Sequence, residues 1–287
     1  MSVLDMKHIY KWDGHTHTHY CRHGADASVK EYVKRAMELG FERYSITEHP
    51  PLPDGYLQNV DVMNQLAMPY DELDRYVVEM AAIKQQFSRE IDVRVGLEID
   101  FLPGREAYTR TLLAHVSHAL DEILVSVHFL PGREGMRCID LSPEDFMEGL
   151  VAHYGSVASV IHTYFDHVEA AISFASTLEI PVRMGHLALI EKFRDALPAF
   201  DDALVRARLT RLLPLIKAAG VGVDCNVAGF RKATCRRPYV PVWWMARALR
   251  EEIPLVFGSD AHAPGDVGAD WAWFEQVIQG CEFDVSH

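Results

Sequence analysis

Residues 8–23 read HIYKWDGHTHTHYCRH, and this order decides the fold. A strand-length segment, His8 to Trp12, runs into four histidines within the nine positions from His15 to His23, with Cys21 among them. Extended chain places residues two apart on one face, so His15 and His17 can reach one cation. Imidazole is a ligand for borderline divalent metals such as zinc, iron and manganese. An HxH pair is a modest signal by itself. Its meaning depends on whether other strands end the same way.

They do. Apolar runs at Arg43 to Ile46, Val93 to Ile99, Glu122 to Val127, Val182 to Met184, Val221 to Cys225 and Leu255 to Phe257 alternate with segments of helical period. Those segments are Ser28 to Leu39, Tyr70 to Ser88, Arg105 to His118, Ser156 to Thr177, Asp201 to Ala219 and Val240 to Arg250, with Gly40 and Gly220 placed as helix C-caps. The alternation predicts parallel β/α units, and seven strands suit a barrel better than a small open sheet. The strand ends then carry Glu48 and His49, Glu98 and Asp100, His128, His186, and finally Asp260 and His262. In a parallel barrel these ends open onto one face, so the scattered ligands converge there. Glu98, with two oxygens, is the candidate bridge between ions. His8, His115, His118, His153, His162, His167 and His287 are read as ordinary histidines. Pro50, Pro51, Pro53 and Pro69 bound a stretch without periodicity, expected to be a long loop or lid.

Composition narrows the partners. The 287 residues carry a formal charge of −13, which disfavours a nucleic acid bound through a broad basic face. Five cysteines, odd in number and without a CxxC pair, point to reduced thiols in a cytoplasm. No apolar leader and no run of about 18 apolar residues is present, so no membrane association is expected. With no repeat or linker, one domain over residues 1–287 is the simplest expectation.

The segments DGHTHTHYCRHG, SITEHPPLP, VGLEIDFLPG, ILVSVHFLPG, CIDLSPEDF, VRMGHLALIEKF, CNVAGFRK and FGSDAHAPGDVG together resemble the histidinol-phosphate phosphatases of the PHP (polymerase and histidinol phosphatase) superfamily. The resemblance runs from about Asp13 to Gly268. It implies a distorted TIM-like (β/α)7 barrel, α/β in class, with three divalent metal ions, zinc, iron or manganese. It further implies that His15, His17, Glu98 and Asp260 hold one ion, Glu98, His128 and His186 a second, and His23, His49 and His262 the third. The implied activity is hydrolysis of L-histidinol phosphate in histidine biosynthesis by a metal-activated water, with Asp260, His262 and Glu98 in the catalytic centre. Arg22 and the VDCN segment depart from the family pattern.

A phosphate dianion inside a barrel needs cationic side chains as well. Arg231 and Lys192 are the first candidates for substrate contact, Arg183 and Lys232 weaker ones, and Arg22 adds a cation beside the histidine cluster. Three other readings keep part of the pattern. A nucleotide or DNA-end phosphoesterase predicts a basic track. A non-catalytic barrel predicts a closed metal shell, and an amidohydrolase predicts a carbamylated lysine or further histidines where Glu98 stands.

Overall fold

The computed structural model describes residues 10–285, so His8, Ile9 and His287 lie outside the described residues. In chain order the first elements are β1 (Trp12–Asp13), α1 (Val29–Glu38), β2 (Arg43–Glu48), α2 (Val60–Leu66), α3 (Leu73–Phe87), β3 (Asp92–Asp100) and α4 (Glu106–Val116). They are followed by β4 (Glu122–Ser126), β5 (Phe129–Gly132), β6 (Gly135–Cys138), α5 (Val157–Ala175) and β7 (Val182–Met184). The last are α6 (Asp202–Ala219), β8 (Gly222–Asn226), α7 (Val242–Arg250), β9 (Leu255–Gly258) and α8 (Trp271–Val285).

Seven strands form one parallel sheet in the order β1-β2-β3-β4-β7-β8-β9. Register pairs include Leu97 with Ile123 and Cys225 with Phe257. Strands covered on both faces read as continuous apolar runs, which is why EILVS and LVFG contain little alternation. The sheet curls until its edges meet. Gly14 donates to the Phe257 carbonyl at 2.8 Å, Asp260 to the His15 carbonyl at 2.8 Å, and His17 to the Ala261 carbonyl at 2.9 Å. These bonds leave a nearly closed α/β barrel, with residues beyond β1 and β9 zipped together at its C-terminal mouth.

The helices pack outside and start at side-chain caps. The Glu31 carboxylate accepts from the Ser28 N–H at 2.8 Å, Ser156 Oγ accepts from the Ser159 N–H at 3.1 Å, and Asp201 Oδ1 from the Leu204 N–H at 2.9 Å. Gly220 closes α6 at φ 67°, the left-handed turn expected of it.

The expectations differ from the structure in identifiable places. The stretch from Pro50 to Pro69 is not all loop, because Asn59 Oδ1 accepts from the Val62 N–H at 3.1 Å and starts α2. None of the α2 side chains is buried; the segment is held by Tyr56 and Leu57, which join Leu102, Phe129 and Cys138 in a small cluster apart from the main core. The β5–β6 hairpin, a π-helical turn at Phe146–Val151 and α8 were not expected at all. Among the described residues, no helix is long and apolar enough to cross a membrane.

Candidate metal centre

The C-terminal strand ends bring the histidines to one place. Beyond β1, His15 and His17 are fully buried, their Nε2 atoms 3.2 Å apart. Each has its other nitrogen on a carboxylate: His15 Nδ1 is 2.7 Å from Asp224 Oδ2, and His17 Nδ1 is 3.2 Å from Glu48 Oε1. An imidazole that donates from Nδ1 presents a lone pair at Nε2. Two lone pairs therefore face each other, with Glu98 Oε2 3.0 Å from one and 3.3 Å from the other. Asp260 Oδ1 stands 3.4 Å from His17 Nε2. Such a gathering of electron-rich atoms is repulsive unless a cation or protons sit among them, so the donor set fits a divalent metal.

Glu98 divides its two oxygens. Oε2 faces His15 and His17, with His49 Nε2 3.6 Å away, while Oε1 faces His186 Nε2 at 2.8 Å and His128 Nε2 at 3.8 Å. Ser126 Oγ donates to Oε1 at 2.6 Å and fixes its direction. His128 Nδ1 is backed by Asp100 Oδ1 at 2.7 Å. A third grouping lies at the rim. His23 Nε2 is 3.0 Å from His262 Nε2, and the His262 ring stacks on His17 with centroids 4.3 Å apart. Cys21 Sγ lies 3.3 Å from His23 Nδ1 and, with His17, His49 and His262, forms a set of donors close enough to share a cation. Burial pushes the Cys21 thiol up to about 12 and keeps it protonated there.

Electrostatics sort the histidines into two kinds. Burial disfavours charge on His15, but Glu98, Asp224 and Asp260 outweigh it and hold its pKa well above the ordinary value. His17 behaves alike, through Asp260, Glu48 and Glu98. Burial and the neighbouring His17 instead hold His49 well below the usual range and bring His262 down to about 3. Glu98 resists burial because His15, His49 and His128 favour its ionised form. In the metal-free protein, the surroundings therefore favour the protonated form of His15 and His17 and the neutral form of His49 and His262.

Asp260 takes a left-handed backbone, φ 53°, which an aspartate tolerates better than most residues. Its carboxylate accepts from Asn226 Nδ2 at 3.1 Å. Asp13 pins the same loop, accepting from the Ser259 N–H at 2.9 Å, Ser259 Oγ at 2.6 Å and the Gly268 N–H at 2.9 Å.

The expected cations separate. Arg231 sits on the turn after β8, donating to the Ser259 carbonyl at 2.6 Å beside Asp260, while Asp266 and Asp270 approach it only to 3.9 Å. Lys192 Nζ is held by Asp140, 2.7 Å from Oδ2 and 2.8 Å from the main-chain carbonyl. Arg22 is exposed and paired with Glu72 at 2.8 Å. Arg183 is a correction. It is buried in the N-terminal half of the barrel, bound to Glu122 at 2.8 Å and to the Gly14 carbonyl at 2.6 Å, with its guanidinium over the Trp12 ring. Strand alternation turns Arg183 into the barrel on the same face as Gly185, but two residues earlier along the strand, so its guanidinium reaches the floor and not the mouth.

Of the histidines read as ordinary, His115 pairs with Asp74 at 2.7 Å, and His167 meets the Thr163 carbonyl at 2.8 Å. Glu48 and Asp100, expected at the strand ends, stand behind His17 and His128; the residues missing from the expected site are Asp224 and Asn226, behind His15 and Asp260. Their signal was the two-residue step that recurs as His15 and His17, Glu98 and Asp100, and Asp224 and Asn226, which puts each pair on one strand face.

A parallel barrel that aims overlapping sets of imidazole and carboxylate donors at its C-terminal mouth defines the class, an α/β barrel built around a polynuclear metal centre. A family model described as PHP domain matches residues 13–228. The histidinol-phosphatase of Bacillus subtilis is 33% identical over 95% of this chain and 100% of its own length. A crystal structure from Listeria monocytogenes, described as a histidinol phosphatase, is 33% identical and superposes with a TM-score of 0.86, covering 92% of this chain and all of that one. The histidinol phosphate phosphatase of Lactococcus lactis, crystallised with zinc, L-histidinol and phosphate, shares the fold at a TM-score of 0.68 and 16% identity, over 95% of this chain and 94% of its own. The chain belongs to the PHP domain family, in its histidinol-phosphatase branch.

Proposed function

We propose that this chain hydrolyses L-histidinol phosphate to L-histidinol and inorganic phosphate, a reaction of histidine biosynthesis. The observation that carries this reading is Glu98, whose two oxygens face two groups of histidines in a chain matched over 95% of its length by a histidinol-phosphatase. His15, His17, Glu98 and Asp260 hold one divalent ion, Glu98, His128 and His186 a second, and His23, His49 and His262 the third. Imidazole and carboxylate donors accept zinc, iron or manganese alike.

When bound, such ions lower the pKa of water to supply a nucleophile near neutral pH and neutralise charge on phosphoryl oxygens. The protein does the rest by position. Asp224, Glu48 and Asp100 hold the histidine rings in the tautomer that presents Nε2. Asn226 and the left-handed backbone aim the Asp260 carboxylate, and His262 stays neutral at the rim. Arg231 offers the planar fork that matches phosphoryl oxygens, and Lys192, turned by Asp140, adds a point charge. The acidic balance of the chain is compatible with a substrate that carries an amine and an imidazole.

Cys21, Cys138, Cys225 and Cys235 are buried and form no disulfide, which supports a reducing cytoplasm as the place of action. The main core draws side chains from α1 through α8, which supports one domain over residues 1–287.

The test is phosphate release by the metal-analysed protein from L-histidinol phosphate, with nucleoside monophosphates in parallel and Asp260→Asn as control. A kcat/KM at least ~10³-fold higher for histidinol phosphate, abolished in the variant, is expected. Equal slow rates on all substrates would remove the substrate assignment and leave a general metal phosphoesterase.

A further inference from the structure

Tyr239 stands where three parts of the mouth meet. Its N–H donates to the Asn226 carbonyl at 2.9 Å and its carbonyl accepts from the Ala188 N–H at 3.0 Å, so it bridges the segments that follow β8 and β7. Its ring lies edge-on to His186, with centroids 6.3 Å apart. The other side of the ring packs against Gly229, in the turn Ala228–Arg231 that carries Arg231; a Cβ at Gly229 would come within 3.1 Å of it. The residue is only 1% exposed, yet its hydroxyl has no hydrogen-bond partner among the described residues.

A buried hydroxyl without a partner is uncommon in folded proteins and calls for an explanation. Besides the Cys235 thiol, the ionisable groups acting on this phenol are Asp140, Asp260 and Arg231, which surround the same mouth. Asp140 is committed to Lys192, and Asp260 to His17 and Asn226. The O–H therefore has no acceptor among the described residues, while its ring stands beside a centre built for an anion.

We propose that the Tyr239 hydroxyl donates a hydrogen bond to a phosphoryl oxygen of the substrate, making Tyr239 a substrate-contact residue alongside Arg231 and Lys192. The proposal rests on the phosphatase reading for its ligand class, but its test uses inorganic phosphate as well as substrate.

Tyr239→Phe removes the hydroxyl and keeps the ring. Because the O–H bonds nothing among the described residues, the variant keeps its metal content and its thermal midpoint in the absence of phosphate is unchanged or higher. Inhibition by inorganic phosphate weakens ~10- to 100-fold, the range for a hydrogen bond to a charged group. The kcat/KM for histidinol phosphate and for p-nitrophenyl phosphate falls by one common factor. Unchanged phosphate inhibition, or a lowered midpoint without phosphate, overturns the proposal, since the first denies the contact and the second makes the hydroxyl structural. A penalty confined to histidinol phosphate also overturns it, placing the hydroxyl on the histidinol portion. If wild type fails to turn over histidinol phosphate but binds phosphate in a Tyr239-dependent way, the substrate reading falls and this contact stands.

Discussion

His15 Nδ1 lies 2.7 Å from Asp224 Oδ2, a contact between the first strand end and the eighth strand that spans 209 positions of sequence. Asp224 also receives Asn226 Nδ2 at 3.2 Å and the His186 N–H at 3.4 Å on the same oxygen. One carboxylate thereby orients a histidine on each side of Glu98. Asp224→Asn keeps the shape but lets the amide present N–H to His15, favouring the wrong tautomer. Outer-shell changes of this kind cost ~10- to 100-fold in metal affinity or activity. Metal titration monitored by inductively coupled plasma analysis after dialysis will show that loss; full retention of metal would mean the carboxylate does not set the tautomer.

The charge pattern predicts how metal and protons compete. In the metal-free protein the pKa values of His15 and His17 are raised and that of Glu98 is lowered. The raised histidines stabilise the fold fully below their unfolded value of about 6.5, and this contribution fades as pH rises through their folded values. The depressed glutamate stabilises fully above its unfolded value of about 4.3 and is lost as pH falls through its folded value. His49 and His262, held neutral in the fold, cost stability as pH falls below about 6.5, so metal-free protein should melt highest toward the upper of these two limits. Bound cations replace those protons, so the metal-loaded optimum moves to higher pH and loading releases protons. Thermal melts across pH with and without chelator, and calorimetry in buffers of different ionisation enthalpy, measure both effects. A chelator-independent profile would contradict the arrangement.

Arg183 and Glu122 form a buried pair at the floor of the barrel, with side chains 7% and 3% exposed. Removing one partner of such a pair leaves an uncompensated charge and costs about 3–5 kcal/mol. Arg183→Leu is expected to lower stability by that order in urea unfolding, with the KM of the surviving folded fraction unchanged. A raised KM at unaltered stability would return Arg183 to the substrate.

Much of this was legible in the sequence for a physical reason. Strands buried on both faces are uninterrupted apolar runs, so VRM was placed at Val182–Met184, the residues observed in β7, and the histidines and carboxylates that cluster at the mouth were noticed at the ends of such runs. The hairpin was hidden because Phe129–Gly132 and Gly135–Cys138 are short, carry Pro131 and turn through Glu134 at φ 64°, none of which reads as strand. The α2 helix was hidden because its seven residues are too few to show a period, and its short apolar face of Val62, Met63 and Leu66 is only half-buried against the small cluster. Asp224 lay inside a strand already counted as apolar. Arg183 was misplaced because sequence gives the neighbour of a strand end but not how deep in the barrel its long side chain reaches.

Gly185 shows how closely the second group of ligands is built. It lies between the end of β7 and His186, donating to the Val125 carbonyl at 2.9 Å, and a Cβ there would overlap Ser126 Oγ and lie 3.4 Å from Glu98 Oε1. Ser126 Oγ is the donor that fixes Oε1, so an added methyl group must either push the serine aside or move the backbone that carries His186. Either movement separates Oε1 from His186 Nε2, now 2.8 Å away, while Oε2 keeps its contacts with His15 and His17. Gly185→Ala is thus expected to weaken one metal position selectively, with activity down ~10- to 100-fold as for other changes behind a ligand. Ser126→Ala removes the same hydrogen bond without adding volume, and the double variant separates the two causes. If overlap with the serine is what harms the single glycine variant, Ser126→Ala in the Gly185→Ala background recovers part of the activity. A double variant no better than Gly185→Ala would instead place the damage in the backbone of His186.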